Sequence, residues 1–294
     1  MHDLMTEALR VIILLFCVSA MLNAGLALTV RQIMEPFRNV RLAAFSFAAS
    51  YVLTPLLAVL VAWILSLAEP LRIGLILLSL TAGAEAGPKV AEMARANVAF
   101  SVGLLATQLV ITIVYIPLVL SVVFPEAHIQ FAPLMLKLVV VILLPLAVSL
   151  FLNARYGGLA ERLRPSLHKA STVLLVCLAA LVVIVDSAEI VKLLGTRAIA
   201  AGALFVVLSF VGGYLLGGPG LENRRTLAIM SCGRNAGIAL MIASQVFGDP
   251  DVLLMITVTV LVMLGLLLPT AYWLGHRALP PTSRTMLDGQ PQAV

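Results

Sequence analysis

The stretch that decides the fold is "TAGAEAGPKVAEMARANVAFS", Thr81 to Ser101. It follows an apolar run, Leu71 to Leu80, that reads as the first half of a membrane span. Where the second half should lie, the chain places Glu85, Lys89, Glu92 and Arg95, with Gly87 and Pro88 in the middle. A charge in the hydrocarbon costs about 2.5–3.5 kcal/mol or more, so such residues face a partner or a wet cavity. The pattern therefore predicts a span broken at a functional position.

The rest of the chain supports a membrane setting. Of its 294 residues, 62% are apolar and 11% charged, and the mean hydropathy is +1.10. Soluble domains carry about a quarter charged residues. The first apolar run, Leu9 to Leu28, is too long for the apolar region of a signal peptide, so no cleavable leader is expected. Cys17, Cys177 and Cys232 sit in apolar runs without metal-like spacing, which argues against a metal centre or a disulfide framework. The net charge of +5 need not mean nucleic acid, because membrane proteins collect Lys and Arg in cytoplasmic loops.

A span needs about 20 apolar residues, and nine segments qualify: roughly 9–29, 42–67, 71–96, 98–124, 131–152, 168–186, 197–217, 224–247 and 251–274. The longest connection is "ARYGGLAERLRPSL", 154–167, read as a loop. With loops numbered alternately, the amino-terminal side holds Arg10, Arg72, Lys192 and Arg197, with acids that include Glu126, Asp186 and Glu189. The other side holds Arg31, Arg38, Arg41, Arg155, Arg162, Arg164, Lys169, Arg224, Arg225, Arg277 and Arg284. Eleven basic residues against four put the amino terminus outside and the carboxyl terminus in the cytoplasm of a multi-pass protein of the cell (inner) membrane.

A second broken span is expected in "RRTLAIMSCGRNAGIALMIASQVF", where Arg234 sits at mid-depth beside Gly233, Asn235 and Gly237. Gly87 and Gly233 stand about 146 residues apart, so spans two to four correspond to spans seven to nine as an inverted repeat, and paired breaks of this kind point to a transporter's binding site. The fold class is thus all-α, with nine transmembrane helices and two broken helices that cross. Pro55, Pro117, Pro145 and Pro269 are read as proline tolerated inside membrane helices.

A break exposes backbone N–H groups at the start of its second half, which favours an anion. Pro88 suits the first turn of one half-helix. Asn235 suits the cap of the other, which begins near Ala236. Gly87, Pro88, Lys89, Arg234, Asn235 and Ala236 are the expected substrate-binding residues, with Glu85, Glu92 and Ser101 as a charge and coupling network. Lys89 is spaced to share a helical face with Glu85 or with Glu92. Arg234 has no acid within its own span, which makes Glu85 its expected partner. Glu92 and Arg95 are read alternatively as part of a self-neutralising charge cluster that holds the break together near the cytoplasmic interface, and Lys137 as a snorkelling side chain.

These segments resemble the bile acid:sodium symporter family. "SAMLNAGLAL", Ser19 to Leu28, is similar to that family's "MFGMGLTL". "EAGPKVAEMARANVAFSV" resembles "ASNVMTYLAKGNVALSV", and "TLAIMSCGRNAGIAL" resembles "TIAIEVGMQNSGLAL". "ASYVLTPLLAVLVAWIL" resembles the third helix of the bacterial members, with its proline at Pro55. The order holds from about residue 9 to 275, and the chain starts where the nine-helix animal members do. The resemblance implies a core domain (about 42–124 and 197–275) and a panel domain (about 9–29 and 131–186) within one unit, 1–294. It also implies an organic-anion substrate bound between them.

The same resemblance implies sodium sites, and here the chain departs. The family's Ser-Asn pair becomes Gly87-Pro88, its bridging acid Met230, and a glutamine Arg234. A glutamine becomes Ser50 and a threonine Leu105, while Ser101 and Asn235 keep their type. A hard cation needs several oxygen ligands, which Met, Leu and Pro side chains lack. The expected activity is secondary transport of a small organic anion by alternating access, with no cofactor and without sodium coupling; protons remain possible partners beside the lipid bilayer. The alternatives are sodium-coupled symport, or export of a metalloid or another anion on the same scaffold. No nucleophile–base pair is visible, so no enzyme is expected. Substrate identity, transport direction and oligomeric state stay open.

Overall fold

A computed structural model describes residues 2–34, 36, 39–125, 130–185 and 197–277. The expectations that rest on Arg38, Glu126, Asp186, Glu189, Lys192 and Arg284 lie outside these residues, as does the chain beyond residue 277. The protein is an all-α polytopic membrane protein. Among the described residues there is no strand, only one isolated bridge.

The helices are α1 (His2–Ala27), α2 (Val30–Ile33), α3 (Val40–Ala48), α4 (Thr54–Ile64), α5 (Glu69–Leu80), α6 (Gly87–Met93) and α7 (Val98–Val123). They continue with α8 (Phe131–Leu138), α9 (Leu144–Arg155), α10 (Gly157–Val185), α11 (Ala198–Leu216), α12 (Leu221–Cys232), α13 (Ala236–Ile242) and α14 (Pro250–Arg277). Among the described residues, five stretches are long and apolar enough to cross a membrane: Val40–Ile64, Val98–Val123, Phe131–Arg155, Ala198–Leu216 and Pro250–Arg277.

Proline shapes two of these stretches. A π-turn at Ala49–Leu53 joins α3 to α4, and another at Val139–Leu143 joins α8 to α9. Each is followed within two residues by proline, Pro55 or Pro145. Proline donates no hydrogen bond and its ring crowds the carbonyl four residues back, and the wider turn relieves both. Thr54 uses the slack, donating its hydroxyl to the Ala49 carbonyl five residues back at 2.7 Å. Pro117 and Pro269 lie inside α7 and α14.

Both broken elements end and restart by local chemistry. The α5 helix stops at Leu80, and Thr81 turns its hydroxyl back to the Leu78 carbonyl at 2.8 Å. Pro88 stands in the first turn of α6, where its missing N–H has no partner to lose. In the second element, α12 stops at Cys232, and Asn235 caps α13 by accepting from the Ile238 N–H at 3.1 Å. The ends of the two elements are latched as well. Arg225 donates to the Ala94 carbonyl at 3.1 Å, and the Asn97 backbone N–H donates to the Thr226 hydroxyl at 2.9 Å.

Helices α5 and α11–α14 pack closely, while α1 packs on α9 and α10 and reaches α13. The approach of α11 to α12 depends on Gly213, where a Cβ would come within 2.5 Å of the Leu227 carbonyl oxygen. Small residues at such contacts let membrane helices meet backbone to backbone.

One expectation is corrected. Residues 157–185 form a single helix, so most of the stretch expected as a loop (154–167) is helical. Its Glu161, Arg162 and Arg164 are exposed while Ala160 is buried, an amphipathic first turn that composition alone reads as loop.

Candidate functional site

The two breaks cross. Ala82 and Arg234 pair as an isolated antiparallel bridge, and the Asn235 N–H donates to the Thr81 carbonyl at 2.8 Å. The Asn235 side chain ties them again, giving its amide N–H to the Gly83 carbonyl at 3.1 Å while its oxygen caps α13. One asparagine thus satisfies backbone groups freed by both breaks, which at membrane depth have no water to turn to.

Arg234 is 2% exposed, and its guanidinium is the centre of the crossing. Nη1 donates to the Ser50 and Ser79 carbonyls, each at 3.1 Å. Nη2 donates to the Thr54 hydroxyl at 2.8 Å and to the Ser231 carbonyl. Ser79 and Ser231 lie in the last turns of α5 and α12, where carbonyls lack helical partners and the helix dipole favours a cation. Ser50 contributes from the π-turn. Three carbonyls and a hydroxyl, from the π-turn, α4, α5 and α12, therefore converge on one fixed cation. This overturns the expected pairing of Arg234 with Glu85: the guanidinium points into the core, where neutral oxygens satisfy it, and no acid meets it among the described residues. Its Nε is buried without a partner.

Beside this crossing lies a cavity of about 790 Å³. Its walls come from α1 (Phe16, Asn23), the first break (Glu85, Pro88, Lys89, Glu92) and α7 (Val98, Val102, Leu105). The second break (Arg234, Asn235, Ala236), α10 (Arg164, His168) and α14 (Val260, Met263) complete it. Of the expected substrate-binding residues, Pro88, Lys89, Arg234, Asn235 and Ala236 line this space. Gly87 does not. It is buried, and a Cβ there would lie 2.7 Å from the Met230 sulfur. Met230 fills the volume where the family resemblance implies an acid.

Of the two pairings open to Lys89, the structure shows the one with Glu92, at 2.8 Å and well exposed, and not the one with Glu85. Arg95 is exposed with a left-handed φ of 51° just beyond α6. Glu85 is half-buried at the cavity wall beside the crossing. Ser101 is fully buried and donates to its own helix at the Val98 carbonyl, 2.7 Å away, so it takes no part in a network with Glu85. Lys137 is exposed, as a snorkelling side chain would be.

Sequence reasoning missed Asn23, Arg164 and His168 among the lining residues. Arg164 and His168 are four apart and share a helical face, a spacing visible only once 157–185 is read as helix.

Interrupted helices crossing inside a polytopic all-α bundle, beside a polar-edged cavity, define a membrane carrier architecture. A sequence model of the Sodium Bile acid symporter family matches residues 12–193, well over half of the chain, and the chain belongs to that family. It is 29% identical over 270 residues to the "Probable sodium/metabolite cotransporter BASS2, chloroplastic" of Oryza sativa subsp. japonica, covering 90% of this chain and 64% of that protein. Similarity to the "Probable sodium/metabolite cotransporter BASS1, chloroplastic" of Arabidopsis thaliana is 27% over 236 residues, 78% of this chain and 58% of the relative. The chain thus spans less than two thirds of the length of either relative. The family is one of transporters, not enzymes.

Proposed function

We propose that the chain is a secondary transporter that carries a small organic anion by alternating access and needs no sodium. In this reading the nine apolar segments are nine spans, with the amino terminus outside and the carboxyl terminus cytoplasmic. Segments 42–124 and 197–275 form the core, 9–29 and 131–186 the panel, and the substrate sits in the cavity between them. The packing of α1 chiefly on α9 and α10, with a smaller contact to α13, supports that division.

The observation that carries the reading is the environment of Arg234. The Ser50, Ser79 and Ser231 carbonyls and the Thr54 hydroxyl are the kind of oxygen set a hard cation needs. Here a guanidinium takes them, and it stays protonated under all physiological conditions. A cation that binds and leaves can couple its gradient to transport; a covalently fixed one holds the crossing together but cannot couple. The carrier is then a uniporter, an exchanger or proton-linked, with Glu85 as the proton carrier in the last case.

The relatives' description as sodium/metabolite cotransporters favours a second reading, sodium-coupled symport, with sodium held by other oxygens. Isothermal titration of the purified chain with short-chain carboxylates, in sodium chloride and in choline chloride of equal ionic strength, separates the two. Equal affinities are expected. A tenfold or greater tightening by sodium, about 1.4 kcal/mol, would favour symport.

A further inference from the structure

The polar groups of the cavity are not evenly distributed. Lys89 and Glu92 neutralise each other. Arg234 lines the space, but its guanidinium is spent on core oxygens. That leaves Glu85 on the side of the crossing, and Arg164 with His168 on α10. None of these three joins an ion pair among the described residues. Glu85 is half-buried, whereas Arg164 and His168 are exposed. Asn23, whose amide oxygen has no hydrogen-bond donor, also borders the space. Other parts of the wall are apolar: Val98, Val102, Val260 and Met263.

Resting on the organic-anion reading, we infer that the substrate is a carboxylate whose far end carries a hydrogen-bond donor, an ammonium or a hydroxyl group. The carboxylate meets Arg164, whose planar fork suits two parallel hydrogen bonds, with His168 beside it. The apolar body crosses the valine and methionine wall. The donor end meets the Glu85 carboxylate, an acceptor that otherwise has no cation. A simple carboxylate with an apolar tail would leave Glu85 facing hydrocarbon, and an unpaired charge in such a place disfavours binding. The cavity volume of about 790 Å³ suits a small ligand, since such sites run from about 300 to 1,000 Å³.

The test uses the full chain, purified, and calorimetric titration with three matched series of roughly four to eight carbons: ω-amino, ω-hydroxy and unsubstituted carboxylates. At one or more lengths, the amino or hydroxy compound should bind about tenfold tighter than its unsubstituted match. Glu85→Gln should bring the amino compound to the unsubstituted level, and Arg164→Gln should weaken all three series together. Equal binding of unsubstituted and donor-bearing compounds at every length would overturn the inference, as would a preference that survives Glu85→Gln. If Glu85→Gln fails to fold, the comparison on the unaltered chain decides by itself. Failure of every series to bind would instead overturn the organic-anion reading on which the inference rests.

Discussion

Arg234 and Ala82 face each other as an antiparallel bridge at the point where the two interrupted helices cross. The Asn235 N–H beside it donates to the Thr81 carbonyl at 2.8 Å, and the Arg234 side chain reaches across to the Ser79 carbonyl of α5 as well as back to the Ser231 carbonyl of its own element. The arginine therefore stands at the tie between the breaks and supplies their shared cation.

Removing that cation should cost stability directly. Arg234→Gln leaves the Ser50 and Ser79 carbonyls without donors, and each buried unsatisfied group costs about 1–3 kcal/mol. Thermal melting in detergent should show a loss of at least about 2 kcal/mol. Arg234→Lys, which keeps the charge but loses the fork, should fall between the two. An unchanged melting temperature for Arg234→Gln would mean that the guanidinium does not hold the crossing.

Asn235→Ala removes a helix cap together with the bridge to Gly83. A cap alone contributes about 1 kcal/mol, so the loss should exceed that. Because Asn235 also lines the cavity, carboxylate titrations should weaken even where the protein stays folded. A folded Asn235→Ala variant with unchanged binding would place Asn235 outside the reach of the ligand.

The glycines give a paired test of helix packing. Gly213→Ala drives a Cβ to 2.5 Å from the Leu227 carbonyl, a backbone atom that cannot swing away, and should cost about 1–3 kcal/mol. Gly265→Ala, also inside a helix, meets nothing within 4 Å, and should be neutral or stabilising by up to about 1 kcal/mol. Melting curves that rank the two variants the other way would contradict the packing of α11 on α12.

The exposed pair Lys89–Glu92 should matter little to stability. Surface ion pairs contribute about 0–1 kcal/mol and are screened by salt. Glu92→Gln should leave the melting temperature nearly unchanged. Because the variant releases Lys89 at the cavity mouth, it should tighten carboxylate binding at low salt. Unaltered binding at low ionic strength would place Lys89 outside the reach of the ligand.

Much of this was legible in the residues. Gly87-Pro88 and Gly233-Arg234-Asn235 announced both breaks, because glycine, proline and charge are costly inside a lipid-embedded helix unless the break is needed. Pro88 in the first turn and Asn235 as a cap followed from local rules, since their partners lie within a few positions. The orientation of Arg234 was not legible. Its acceptors are main-chain oxygens, which every residue carries, and they come from segments 155 and 184 positions away. A search for an acid therefore settled on Glu85, the nearest candidate in the other break. Arg164 and His168 were hidden for a different reason. A Gly-Gly start and an internal Pro165 suggested a loop, and only the helix from Gly157 aligns the two side chains on one wall.

The central claim is that a fixed guanidinium stands where a mobile cation would couple transport. The most direct measurement is uptake of a radiolabelled carboxylate, the tightest binder from the titrations, into proteoliposomes with sodium present or fully replaced by choline. The account predicts initial rates that agree within about twofold, consistent with a charge that never leaves the protein, and loss of uptake in Arg234→Gln. Uptake that falls to background in choline, and that remains sodium-dependent in Arg234→Gln, would contradict it.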